Sequence, residues 1–109
     1  EKAREEVLKF LGASEEDYEV VFTRSCTDSL RLLADSFNWR PDSQFRYLLQ
    51  NHNSVLGIRD VARSKGATAS AMTRDEVEQW LQGAATNETS LFAYPAEENF
   101  AGEMFPMTW

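Results

Sequence analysis

Two periods alternate in the hydrophobic pattern of this chain. Leu30, Leu33, Ala34 and Phe37 recur at i, i+3, i+4 and i+7, which lines one face of a helix. Val55, Ile58, Val61 and Ala62 share a second helical face behind Ser54, a side chain suited to an N-cap. Thr73-Arg74-Asp75-Glu76 has capping-box spacing and opens a third helix, with Val77, Trp80 and Leu81 as its apolar face and Gly83 as its stop. Val7, Leu8 and Leu11 place one more helix at the start, with Gly12 as its C-cap. Four short runs between these patterns read as strands: residues 19–23, 45–49, 67–71 and 90–94. The run 67–71 is small and polar, which suits an edge strand. Residues 84–89 read as a surface loop.

Strands alternating with helices imply βαβ units, right-handed crossovers and a mainly parallel sheet with flanking helices. The fold class expected is α/β, a partial three-layer arrangement. The spacing reflects that alternation and is not a sequence repeat. Three polar segments directly follow strand-like runs: Thr23-Arg24-Ser25-Cys26-Thr27-Asp28, Asn51-His52-Asn53-Ser54, and Pro95-Ala96-Glu97-Glu98-Asn99-Phe100-Ala101-Gly102. In a parallel sheet they gather at the carboxyl edge, where open α/β sheets bind ligands.

Each segment has its own chemistry. Ser25, Cys26 and Thr27 leave backbone N–H groups open at a helix N-terminus, where the dipole favours an anion such as phosphate. The spacing of Ser25 and Asp28 fits plain capping too, and on spacing alone capping is the simpler reading. A thiol at a helix N-terminus can be an activated nucleophile, but for a lone cysteine a structural role is the simpler one. His52, the single histidine, could stack on a flat ring, exchange a proton, or merely hydrogen-bond at the surface. One histidine and one cysteine do not complete a tetrahedral metal set. Pro95 stops the last strand and Gly102 permits an unusual turn. Asn99 between them suits a phenolic or carbonyl oxygen. Adjacent Glu97 and Glu98 are expected to face solvent, without a catalytic role.

Composition narrows the classes. At 109 residues the chain holds at most one domain with a modest core. A formal charge of −7 argues against nucleic-acid binding, which needs a basic face. No apolar run approaches the roughly 20 residues that span a bilayer. The charged opening Glu1-Lys2-Ala3-Arg4-Glu5-Glu6 is unlike a signal peptide, and a single cysteine fits a reducing compartment, so a cytoplasmic location is expected. The helical start, and an apolar Phe105-Pro106-Met107-Thr108-Trp109 tail without a closing element, predict that residues 1–109 are one incomplete domain of a larger protein. No Gly-x-Gly-x-x-Gly, Walker loop, receiver-type acidic cluster or nucleophile elbow is present.

With their flanks, these segments resemble the molybdenum cofactor sulfurase family, in the N-terminal part of its class V aminotransferase, cysteine-desulfurase-like domain. The likeness runs from Tyr18-Glu19-Val20-Val21-Phe22-Thr23 into Cys26-Thr27. It continues through Asn51-His52-Asn53-Ser54-Val55-Leu56-Gly57-Ile58-Arg59, and through Leu91-Phe92-Ala93-Tyr94-Pro95-Ala96 to Asn99-Phe100 and Gly102. Arg24-Ser25, Glu97-Glu98 and Ala101 depart from the family's commoner residues.

The resemblance implies part of an aspartate-aminotransferase-like large domain that binds pyridoxal 5′-phosphate (PLP). Ser25, Cys26 and Thr27 would hold the phosphate, His52 would stack on the pyridine ring, and Asn99 would bond the phenolic oxygen. It implies a cytoplasmic, homodimeric sulfurtransferase that takes sulfur from L-cysteine as an enzyme persulfide and passes it to molybdenum cofactor. The Schiff-base lysine, the aspartate facing the pyridine nitrogen and the persulfide cysteine would lie further along. Lys2, Lys9 and Lys65 match no PLP-lysine motif, so the isolated stretch is expected to be inactive. Its first strand would be remote from the others, so the chain is expected to leave edges exposed, pair differently or self-associate. Two other readings stay open: a different class V PLP enzyme such as a cysteine desulfurase, and a non-catalytic α/β interaction module.

Overall fold

Phe45 and Tyr47 face one side of the central strand and Leu48 the other, and the layers are built on that alternation. The computed structural model describes residues 1–83 and 89–109, so most of the expected loop 84–89 lies outside the described residues. In chain order the elements are α1 (Lys2–Leu11), α2 (Cys26–Ser36), β1 (Gln44–Leu48), α3 (Asn53–Ser64), β2 (Thr68–Met72), α4 (Arg74–Leu81) and β3 (Ser90–Ala93). The strands pair in the order β2-β1-β3, both pairs parallel. Gln44 aligns with Thr68 and Ser90, and Tyr47 with Ala71 and Ala93. The small, polar β2 takes an edge, as its composition predicts.

Helices α2 and α3 cover one face, where Ala34, Phe45, Tyr47, Ile58, Ala62 and Ala67 are buried together against Leu91 and Ala93. On the opposite face Leu48, Val77 and Phe105 are buried with Met72, Phe92, Tyr94 and Trp109 around them. Residues 91 and 93 pack one way and 92 and 94 the other, so the sheet is the middle of three layers. Phe45, Leu48, Ile58 and Val77 are at most 1% exposed. Burying side chains of this size stabilises by about 1.5–3 kcal/mol each.

Several expectations are corrected. Residues 19–23 form no strand, and Val21 and Phe22 are 61% and 60% exposed. A strand exists only as a pairing, and no partner lies beside this segment among the described residues, so the alternative pairing does not occur and both sheet edges stay open. In α1, Gly12 is the left-handed C-cap as expected, at φ 66°, but only Leu8 of the apolar face is buried and Leu11 is exposed. Helix α2 ends at Ser36 because Phe37 turns to an extended backbone, with its ring 4.4 Å from Trp39. Helix α4 ends at Leu81, before Gly83. The tail is not loose: Phe105 is buried and Trp109 lies 5.4 Å from the Tyr94 ring, closing the second core.

Candidate functional site

The carboxyl ends of β1 and β3 lie side by side because the strands are parallel and adjacent. The segments leaving them therefore form two walls of one cavity of about 440 Å³, lined by Asn51, His52 and Asn53 on one side and Pro95, Glu97, Glu98, Asn99 and Phe100 on the other. That volume is within the range of small-molecule sites.

The first wall is fixed by local hydrogen bonds. His52, not Ser54, is the N-cap of α3: its Nδ1 accepts from the Ser54 N–H at 3.1 Å. An accepting Nδ1 must carry the lone pair, so the ring proton sits on Nε2. Asn51 Oδ1 accepts from the His52 N–H at 2.9 Å, and Asn51 Nδ2 donates to the Ala93 carbonyl at 3.1 Å. Further along α3, hydrogen bonds to Tyr47 and then Asp60 hold the Arg59 guanidinium above its ordinary pKa and bind the helix to β1.

The second wall is a turn closed on itself. Glu97 and Met104 form an antiparallel bridge, the Phe105 N–H donates to the Ala96 carbonyl at 2.9 Å, and Gly102 takes φ 71°, which favours glycine. Inside the turn the Glu98 carboxylate accepts from the N–H of Phe100 at 2.8 Å and from that of Ala101. These backbone donors, Phe100 first and Ala101 second, pull the Glu98 pKa below its ordinary value. Asn99 and Phe100 stand exposed at the tip.

The start of α2 meets α3 just beyond the first wall. Thr27 Oγ1 and Ser54 Oγ are hydrogen-bonded at 2.7 Å, and Thr27, Asn53 and Ser54 line a neighbouring groove between α2 and α3. Ser25 caps α2 by accepting from the Asp28 N–H at 3.1 Å, so the capping reading of that turn is realised. The N–H groups of Cys26 and Thr27 are the first two of the helix and have no acceptor within it. Arg24 does not face them with a bare charge, being paired to Asp28 at 2.9 Å. Cys26 is exposed and not in a disulfide.

Among the residues singled out in the sequence, His52 and Asn99 share the cavity, Thr27 lies in the neighbouring groove, bonded to Ser54, and Ser25 and Cys26 line neither. Nothing in the sequence pattern marks Asn51 and Glu98 as organisers of the site. Among the described residues no group of three His, Cys, Asp or Glu could hold a metal, and no helix is long and apolar enough to cross a membrane.

Comparison with known proteins identifies the family. The chain is similar to the molybdenum cofactor sulfurase of Solanum lycopersicum, with 37% identity over 95% of this chain and 16% of that protein. It is similar to that of Danio rerio, with 38% identity over 100% of this chain and 15% of that protein. The Arabidopsis thaliana protein of the same name is 36% identical over 94% of this chain and 16% of its own length. The chain thus spans about one-sixth of these relatives. No solved structure matches it. The family model described as aminotransferase class-V matches residues 1–108, and the chain belongs to that family.

Proposed function

We propose that this chain supplies one part of the PLP site of a molybdenum cofactor sulfurase, whose complete polypeptide takes sulfur from L-cysteine and passes it, through an enzyme persulfide, to molybdenum cofactor. Class V membership implies PLP in the complete enzyme, where the cofactor supplies an electron sink. The residues present fit it. The open N–H groups of Cys26 and Thr27, with the Thr27 hydroxyl beside them, suit a phosphate. The His52 ring, held at Nδ1 with its proton on Nε2, suits stacking on the pyridine ring and proton exchange at that nitrogen. The Asn99 amide suits the phenolic oxygen. Ser25 supports the phosphate turn through its cap. The residues 1–109 are read as one incomplete domain, inactive alone, since none of Lys2, Lys9 and Lys65 lines the cavity.

One observation carries this reading: His52 and Asn99, from segments far apart in sequence, line the same cavity. The test is PLP titration of the chain and of His52→Ala and Asn99→Ala, followed by 31P resonance. Saturable binding is expected, weakened about tenfold by loss of the Asn99 hydrogen bond, which is worth ~1 kcal/mol or somewhat more. Failure of the unsubstituted chain to bind, or binding indifferent to both substitutions, refutes it. L-cysteine with PLP and this chain alone is expected to yield no alanine.

A further inference from the structure

The structure carries the position of His52 through its neighbour. Asn51 leaves the carboxyl end of β1 half-buried and uses both ends of its amide. Its Nδ2 donates to the carbonyl of Ala93, the last residue of β3, and its Oδ1 accepts from the His52 N–H. His52 Nδ1 in turn accepts from the Ser54 N–H, and Ser54 Oγ meets Thr27. An unbroken chain of hydrogen bonds thus runs from the strand that launches the Asn99 turn, through Asn51 and His52, to the start of α3 and on to α2.

We infer that Asn51 is a positioning residue, which sets the His52 ring against the Asn99 wall by clamping the exit of β1 to the end of β3. The consequence for PLP rests on the function proposed above, whereas the consequence for the His52 ring does not. Side-chain chemistry makes the choice narrow. A neutral amide has a donor and an acceptor on one flat group, and both are used. Aspartate has the same shape and keeps the acceptor toward the His52 N–H, but it turns two oxygens toward each other at Ala93. Leucine has the volume and neither function.

The test uses the whole chain labelled with 15N. In the unsubstituted protein, long-range 15N–1H spectra are expected to give His52 one tautomer, with the proton on Nε2. Asn51→Asp should shift that pattern to a mixture of tautomers and weaken PLP binding about tenfold. In a His52→Ala background, Asn51→Asp should change PLP binding less than twofold, because its effect passes through the imidazole. An unchanged ring pattern in folded Asn51→Asp overturns the inference, as does an equal loss of PLP affinity with and without His52. If the unsubstituted chain binds no PLP, the proposed function fails, and the ring pattern alone decides the role of Asn51. Should Asn51→Asp not fold, hydrogen exchange of the side-chain amides in the unsubstituted protein decides. Asn51 Nδ2 should exchange several-fold more slowly than exposed Asn99, and equal rates overturn the clamp.

Discussion

The hydrogen bond between Thr27 and Ser54 gives a quantitative handle on the site, because it links the start of α2 to the start of the helix that His52 caps. Its 2.7 Å length marks a good hydroxyl pair. A net hydrogen bond is worth about 0.5–1.5 kcal/mol. Thr27 is exposed and Ser54 half-buried, so water reaches whichever hydroxyl is left and no desolvation penalty is added. The lower half of the range applies. Thr27→Val keeps the shape and the β-branch, and is expected to cost roughly 0.5–1 kcal/mol. Ser54→Ala removes the same bond but gains slightly in helix propensity, so it should be the milder of the two. The double variant should lose no more than Thr27→Val alone, leaving a coupling energy of about 0.5 kcal/mol or more. Urea unfolding followed by the fluorescence of Trp39, Trp80 and Trp109 measures it. With a slope of about 1–3 kcal/mol/M, the midpoint of Thr27→Val should fall by roughly 0.2–1 M. Ser54→Ala should also loosen PLP, though Ser54 has no proposed contact with it. Losses that simply add in the double variant would show that the two helix starts are held independently, and would refute the bridge.

Glu98 makes the second wall sensitive to acid. Because its folded pKa lies below the unfolded one, the contribution of its carboxylate to the turn is fully present above the ordinary glutamate range and is lost as pH falls through the depressed folded value. The amide resonances of Phe100 and Ala101 should therefore hold steady through the ordinary glutamate range and move only below it. A midpoint in the ordinary range, or an unchanged titration in Glu98→Gln, contradicts this. Leu48→Ala removes a fully buried side chain beside Val77 and Phe105 and should cost about 2–5 kcal/mol. Calorimetry should register a Tm lower by roughly 8 °C or more, and a loss under ~1 kcal/mol would mean that the second core is looser than its packing.

The layer order was readable because the period of the apolar residues changes cleanly, from helical spacing in 30–37 and 55–62 to short runs at 45–49 and 90–94. Each of those strands falls within one residue of its expected bounds. The failure at 19–23 has a clear cause. Val20-Val21-Phe22 has the β-branched and aromatic chemistry of a strand, but propensity does not supply a partner. The cap of α3 departs from expectation for a different reason. Residue type favours Ser54, yet an imidazole nitrogen takes the N–H and frees the serine hydroxyl for Thr27. Asn51 and Glu98 were illegible because what they do depends on backbone atoms brought near only by folding, the Ala93 carbonyl across the sheet and the Phe100 and Ala101 N–H groups across a turn.

The polarity of the site follows from the same residues. Under the proposed function the ligand carries its charge at one end, and the cavity is not neutral along its length. Glu97 and Glu98 border it on the Asn99 side, and the depressed pKa of Glu98 keeps that carboxylate ionised at neutral pH. The start of α2 offers the positive end of a helix dipole and two N–H groups without an acceptor in the helix, and it meets α3 at Ser54, on the His52 side. Turning the ligand round would set its phosphate against Glu97 and Glu98. Like charges 4 Å apart repel by about 4 kcal/mol at an effective dielectric of 20, and by about 1 kcal/mol in open water. Even the smaller figure matches the most that the helix dipole typically contributes at an exposed site, about 0.3–1 kcal/mol. Under the proposed function the acidic pair on the far wall therefore disfavours the reversed orientation at least as strongly as the helix dipole favours the other.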